Sequence, residues 1–206
     1  MTGKRILGWM VGILALAIIP GVVLPTLVCK RDAPYIEDWG KLPAFTLVDE
    51  RGQPFTEDAL KGHPTIVSFL FTRCDTICPV TTAKMQMLQE KTFDAGDRIK
   101  LLSFSVDPTY DTPAVLDAYA QKYKADPTRW RFVTGPKDKM KALIEGPLMT
   151  SMTDEGGRGS IPNIAHGGYF MLIDGELHLR GSYDSNDITA LDKLERDARY
   201  LSRVGH

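Results

Sequence analysis

Cysteine is scarce in this chain, with three among 206 residues, too few for a disulfide-stapled miniprotein that does without a hydrophobic core. Internal repeats and low-complexity tracts are absent. Excess charge of either sign is lacking too: 25 Lys and Arg stand against 26 Asp and Glu. The balance is uneven along the chain. Only Lys4, Arg5, Lys30 and Arg31 are charged before Asp32, which leaves 21 basic against 26 acidic residues over the other 175. That surplus of acid supplies no basic groove, so nucleic acid is not an expected partner. With 43% hydrophobic residues, the remainder has ordinary globular composition and the length of one domain.

From Ile6 to Cys29 no residue is charged. These 24 residues would extend about 36 Å as a helix, enough to cross a hydrocarbon layer of about 30 Å with some tilt. We expect an uncleaved transmembrane anchor. A cleaved signal peptide is the rival, but the apolar stretch is long for one and no small-x-small site precedes Lys30. Pro20, Gly21 and Pro25 loosen its distal half, which membrane helices tolerate. Lys4 and Arg5 are matched by Lys30 and Arg31, so orientation rests on the five-residue head and large following domain of an N-in signal anchor. The expected location is the bacterial inner membrane, single-pass, with the soluble domain facing the periplasm or cell exterior. A lipidated Cys29 fits poorly, because Val28 precedes it; an apolar residue at the membrane edge is the expectation.

The expected domains are an anchor over 1–29, a linker over 30–40 and a soluble domain over 41–206. Segments 45–48 and 53–56 flank Asp49-Glu-Arg-Gly52, a hairpin signal. Segments 65–71 and 100–106 are short runs of β-formers suited to strands covered on both faces. A helix is expected to start near Pro79 and run to about Lys91, with others over 112–123, 136–144 and 187–201, and a strand over 130–133. Segments 169–173 and 176–180, separated by Asp174-Gly175, predict a second hairpin. The fold class is therefore α/β, a mixed sheet flanked by helices with an N-terminal β-hairpin. One long irregular segment, 146–168, carries six glycines, and loops of that length are usually functional or mobile.

Chemistry concentrates in Phe71-Thr-Arg-Cys74-Asp-Thr-Ile-Cys78-Pro79, which sets two thiols at the end of an expected central strand, where open α/β sheets bind ligands. Pro79 at the first helical position would make Cys78 the cap, where the helix dipole favours a thiolate. The two sulfurs can close a disulfide or chelate one soft ion such as Cu(I) or Zn(II), and a structural disulfide is an equally good reading of the pair alone. His166, on a glycine-flanked loop before the 169–173 strand, is a third candidate ligand. Met149 and Met152 are auxiliary soft donors or loop packing. Asp107 either orients His166 or tunes local charge, or it serves as a cap or turn residue before Pro108.

Together with Ser105-Val-Asp107-Pro108, Asp111-Thr-Pro113 and His166 ahead of 169–174, the cysteine motif resembles that of the Sco/SenC (PrrC-like) family of membrane-anchored, thioredoxin-like copper proteins. The likeness spans about 41–201. It implies a copper metallochaperone in which Cys74, Cys78 and His166 bind Cu(I) or Cu(II) for the binuclear copper centre of cytochrome c oxidase. Expected partners are the copper-acceptor subunit of that oxidase, a periplasmic thiol reductant and a copper donor. Asp75 departs from the proline common there.

The enzymatic alternative is a thiol-disulfide oxidoreductase using Cys74 and Cys78 on the cysteines of a copper acceptor. Thioredoxin-type enzymes separate their cysteines by two residues and place a cis-proline directly before the facing strand. Here three residues intervene, and Pro162 lies seven before Tyr169 with His166 between, which favours metal. A peroxiredoxin-like reading fails, because neither cysteine has the required threonine three residues before it.

Overall fold

The computed structural model describes residues 34–75, 77–146, 148 and 168–204. The expected membrane span at 6–29 lies outside these, as do Cys29, Met149, Met152, Pro162 and His166. Among the described residues no helix is long and apolar enough to cross a membrane. The chain divides into Met1–Tyr35 and Ile36–His206, and the description below concerns the second unit.

Strands β1 (Thr46–Asp49) and β2 (Pro54–Thr56) form the opening hairpin, with Thr46 opposite Thr56. Its turn is built by the Asp49 carboxylate, which accepts the N–H groups of Arg51 and Gln53 at 2.9 and 2.8 Å. Strand β3 (Thr65–Leu70) is buried at every position, and β4 (Lys100–Ser105) at all but its first. Near-continuous apolar runs of this kind belong to strands covered on both faces. They pair in parallel, and β5 (Trp130–Thr134) pairs in parallel with β4. Strand β6 (Tyr169–Ile173) runs antiparallel to β3, and β7 (Leu179–Asp184) antiparallel to β6. The seven strands lie in the order β2-β1-β5-β4-β3-β6-β7, a mixed thioredoxin-like sheet.

Alternation along the strands sends side chains to two cores. Ile66, Leu70, Leu101, Trp130 and Phe132 pack with helices α1 (Ile77–Lys91), α2 (Pro113–Lys122) and α4 (Ile188–Val204). Val67, Phe69, Leu102, Phe104 and Val133 pack with α3 (Lys137–Glu145) and the opening hairpin. Ser68 and Ser103, the polar interruptions, share a hydrogen bond of 2.8 Å, and Ser103 also accepts the Trp130 indole N–H at 2.9 Å. Their burial therefore strands no polar group.

Two expectations need correction. Helix α1 opens at Ile77 rather than Pro79. Proline is tolerated at the third position because the first four N–H groups of a helix have no intrahelical acceptor to lose. The second hairpin does not turn on two residues: β7 begins at Leu179, and 174–178 form a longer loop. The buried Asp174 carboxylate shapes it by accepting the N–H groups of Glu176 and His178 at 2.9 Å and the Arg180 Nε at 2.6 Å, while Leu177 takes φ +72°. Gly175 lies against Gly62, where a Cβ would come within 3.0 Å of backbone. Within the expected linker, residues 39 and 40 are tied to the sheet. Trp39 donates to the Leu179 carbonyl and Leu179 to that of Gly40, at 2.8 and 2.9 Å, so this segment is laid along the outer edge of β7.

Candidate functional site

The site begins where β3 ends. Val106 N–H donates to the Leu70 carbonyl at 2.8 Å, so the β3–β4 pairing holds to its last residue. The chain then turns, with Cys74 N–H donating to the Phe71 carbonyl at 3.1 Å. Two residues into the following helix is Cys78, whose N–H points at the Cys74 sulfur across 3.4 Å. Both residues are thiols, Cys74 half-buried and Cys78 only 2% exposed. A helix that starts two residues early is what brings this about, because an unsatisfied first-turn N–H then faces the loop cysteine.

Burial decides the protonation of Cys78. It pushes the thiol up to about 12 from 9.0, with the Phe71 backbone hydrogen bond working against the shift and the Cys74 side chain and Asp111 adding to it. The expected thiolate at a helix start is thus overturned for the metal-free protein. A helix N-terminus favours the anion by at most a kcal/mol or two, and desolvation outweighs it.

Around the thiols lies a rim that the sequence did not announce. The Arg73 guanidinium pairs with the Asp107 carboxylate, its Nε at 3.2 Å, and stacks 4.4 Å from the centroid of the Tyr110 ring. The Asp107 carbonyl accepts the N–H groups of Tyr110 and Asp111. Asp107 is therefore a turn residue with an arginine partner, while its expected role in orienting His166 falls on a residue outside those described. Behind the rim, Asp111 is fully buried and accepts from Thr72 and Ser105. An acid just ahead of the Thr112-Pro113 helix start was the one available signal, and it did not reveal that the side chain turns inward.

His166 lies outside the described residues, and among those described no three His, Cys, Asp or Glu gather as a metal-holding group. The chain re-enters the described fold at Gly168, beside the thiols' helix. Gly168 has φ +67°, and a Cβ there would lie 2.8 Å from the Ser185 hydroxyl and 3.5 Å from the Ile77 side chain. Its carbonyl accepts Ser185 N–H at 2.8 Å. Glycine is thus required by both conformation and space. A cavity of about 470 Å³ lies elsewhere, between the opening hairpin and α3, lined by Phe45, Glu57, Lys139 and Leu143 among others.

The SCO1/SenC family model matches residues 38–201. The SCO1 protein homolog of Bacillus subtilis (strain 168) is 38% identical over 169 residues, covering 78% of this chain and 82% of that protein. The crystal structure of yeast Sco1 with copper bound is similar at 26% identity and TM-score 0.59, over 76% of this chain and 91% of that one. In fold the chain also resembles BsSco, a member of the Sco family of cytochrome c oxidase assembly proteins in which a disulfide switch was identified. That likeness is 24% identity and TM-score 0.68, over 84% and 99% of the two chains.

Proposed function

Because this chain belongs to the SCO1/SenC family, we propose that it is a membrane-anchored copper metallochaperone that supplies the binuclear copper centre of cytochrome c oxidase. Copper is its cargo, held by Cys74, Cys78 and His166. The observation that carries the reading is the sulfur pair at the end of the central strand, with one sulfur already set against the other residue's N–H. A related chain, yeast Sco1, has been crystallised with copper bound. For His166 the support is chain length: one residue, Gly167, separates it from Gly168, a span of at most about 7 Å, and Gly168 sits against Ile77 beside Cys78.

Chemically the set suits transfer. Two thiolates and an imidazole satisfy Cu(I), and a ligand on a loop of its own can leave first and open a position for the acceptor. The proposed arrangement is an anchor over 1–29 in the bacterial inner membrane, with the copper domain facing the periplasm or cell exterior. A copper donor and a thiol reductant there would load the site before the acceptor subunit of the oxidase empties it.

The test is titration of the reduced protein with Cu(I) against a competing chelator. One equivalent should bind, and Cys74→Ser, Cys78→Ser and His166→Ala should each weaken binding by roughly 10-fold or more while leaving the far-UV spectrum unchanged. Unaltered affinity in Cys74→Ser would sink the site, and unaltered affinity and spectrum in His166→Ala would remove the third ligand. A second reading, thiol-disulfide exchange by Cys74 and Cys78 on a copper acceptor, draws on the Cys74 sulfur lying against the Cys78 N–H. Rapid turnover of disulfide substrates by the metal-free protein would promote it.

A further inference from the structure

Asp111 is fully buried in a place where an apolar side chain would cost less, since a buried carboxyl must find partners for both oxygens. It finds them on two separate segments. Thr72 N–H lies 3.2 Å from each oxygen and the Thr72 hydroxyl 2.5 Å from one, while the Ser105 hydroxyl donates to the other at 2.6 Å. Thr72 opens the loop that carries Cys74, and Ser105 is the last residue of β4. Residue 111 is itself fixed, by its N–H to the Asp107 carbonyl at 2.9 Å and by the helix start at Thr112 that follows it.

Joining β3 to β4 does not require this carboxyl. The ladder from Thr65–Lys100 to Leu70–Ser105 and the Val106 bond to Leu70 already do so. What the carboxyl adds lies beyond the ladder, where Thr72 has both its backbone N–H and its hydroxyl drawn to one group. Two donors of one residue on one carboxyl restrain the backbone and the side-chain rotamer together, and a carboxylate alone can accept so many bonds without a donor of its own. Phe71, the adjoining residue, accepts the Cys74 N–H.

We infer that Asp111 is a positioning residue for the sulfur pair: it locks the Thr72 limb of the loop, so that Cys74 stays in register with the start of α1 and its sulfur beside Cys78. The role rests on the reading of Cys74 and Cys78 as the working groups. It predicts a thiol pair with a high effective concentration, a property that shows without any metal.

The experiment equilibrates the full chain in detergent, carrying Cys29→Ser throughout, with reduced and oxidised glutathione. The two protein thiols and one oxidised glutathione yield the Cys74–Cys78 disulfide and two reduced glutathiones, and the ratio is read by thiol trapping and mass. Asp111→Ala should lower the equilibrium constant by about tenfold, through lost orientation. Asp111→Asn, which keeps an acceptor for Thr72, should fall between, and Thr72→Val should shift the same way by less. Circular dichroism and thermal unfolding establish that each variant is folded. A folded Asp111→Ala with the parental constant overturns the proposal. If that variant does not fold, Thr72→Val decides: an unchanged constant overturns it and a lowered one supports it. Copper stoichiometry of the parent, measured separately, tests the copper reading, and its failure would leave the thiol equilibrium to report on Asp111.

Discussion

At the scale of single residues, Cys78 pits a helix start against burial, and burial wins. The thiol is held up to about 12, so the metal-free protein keeps that proton at neutral pH. A sulfur ligand must lose it before it binds copper. Proton release on binding means that affinity rises with pH, and the raised value extends the rise well beyond the range of an ordinary thiol. Apparent Cu(I) affinity should therefore climb by about tenfold per pH unit from Cys78 alone between pH 6 and 8. Competition titrations across that range check it, and a flat profile would exclude Cys78 as an anionic ligand. Cys74 is the more exposed of the two, and on the proposed reading it is the sulfur that an acceptor or reductant would approach.

At the scale of elements, α1 carries the site and is itself carried by packing. Its buried face is Cys78, Thr81, Thr82, Met85 and Leu88, spaced so that one stripe meets β3. Thr82 shares a hydrogen bond of 2.9 Å with the Tyr119 hydroxyl and the Thr81 hydroxyl donates to the Ile77 carbonyl at 3.1 Å, which satisfies both threonines of that stripe. Met85 and Leu88 are wholly buried, so Leu88→Ala should cost about 2–5 kcal/mol in chemical denaturation. Helix α2 is fixed more locally, by Thr112, whose hydroxyl accepts the Val115 N–H at 3.4 Å. Thr112→Ala should cost about 1 kcal/mol, less than the core change, and equal losses would contradict this ranking. The hairpin at 174–178 shows the opposite case. There a buried carboxylate, rather than the Asp-Gly dipeptide alone, sets the loop.

At the scale of the whole molecule, the sheet places the two thiols and the segment before β1 at different strand ends. The thiols follow the C-terminal end of β3, whereas the segment before β1 crosses the turn-proximal end of β7, with Leu42 N–H on the Leu177 carbonyl and Lys41 bridged to His178. Residues 36–42 therefore belong to the folded domain. A fragment over 36–206 should unfold at a higher temperature than one over 43–206, by several degrees, since each kcal/mol moves a domain of this size by about 2–4 °C. Equal melting temperatures would show that the strap contributes nothing.

Sequence by itself determined the order of elements, the covered central strands, the opening hairpin and the two cysteines, because apolar periodicity and a nine-residue motif are local properties of a chain. Tertiary structure decided the rest. The early start of α1, the protonation of Cys78, the Arg73–Asp107 pair and the inward turn of Asp111 all depend on groups brought together from distant positions, and desolvation and hydrogen-bond geometry exist only once the strands have been laid side by side.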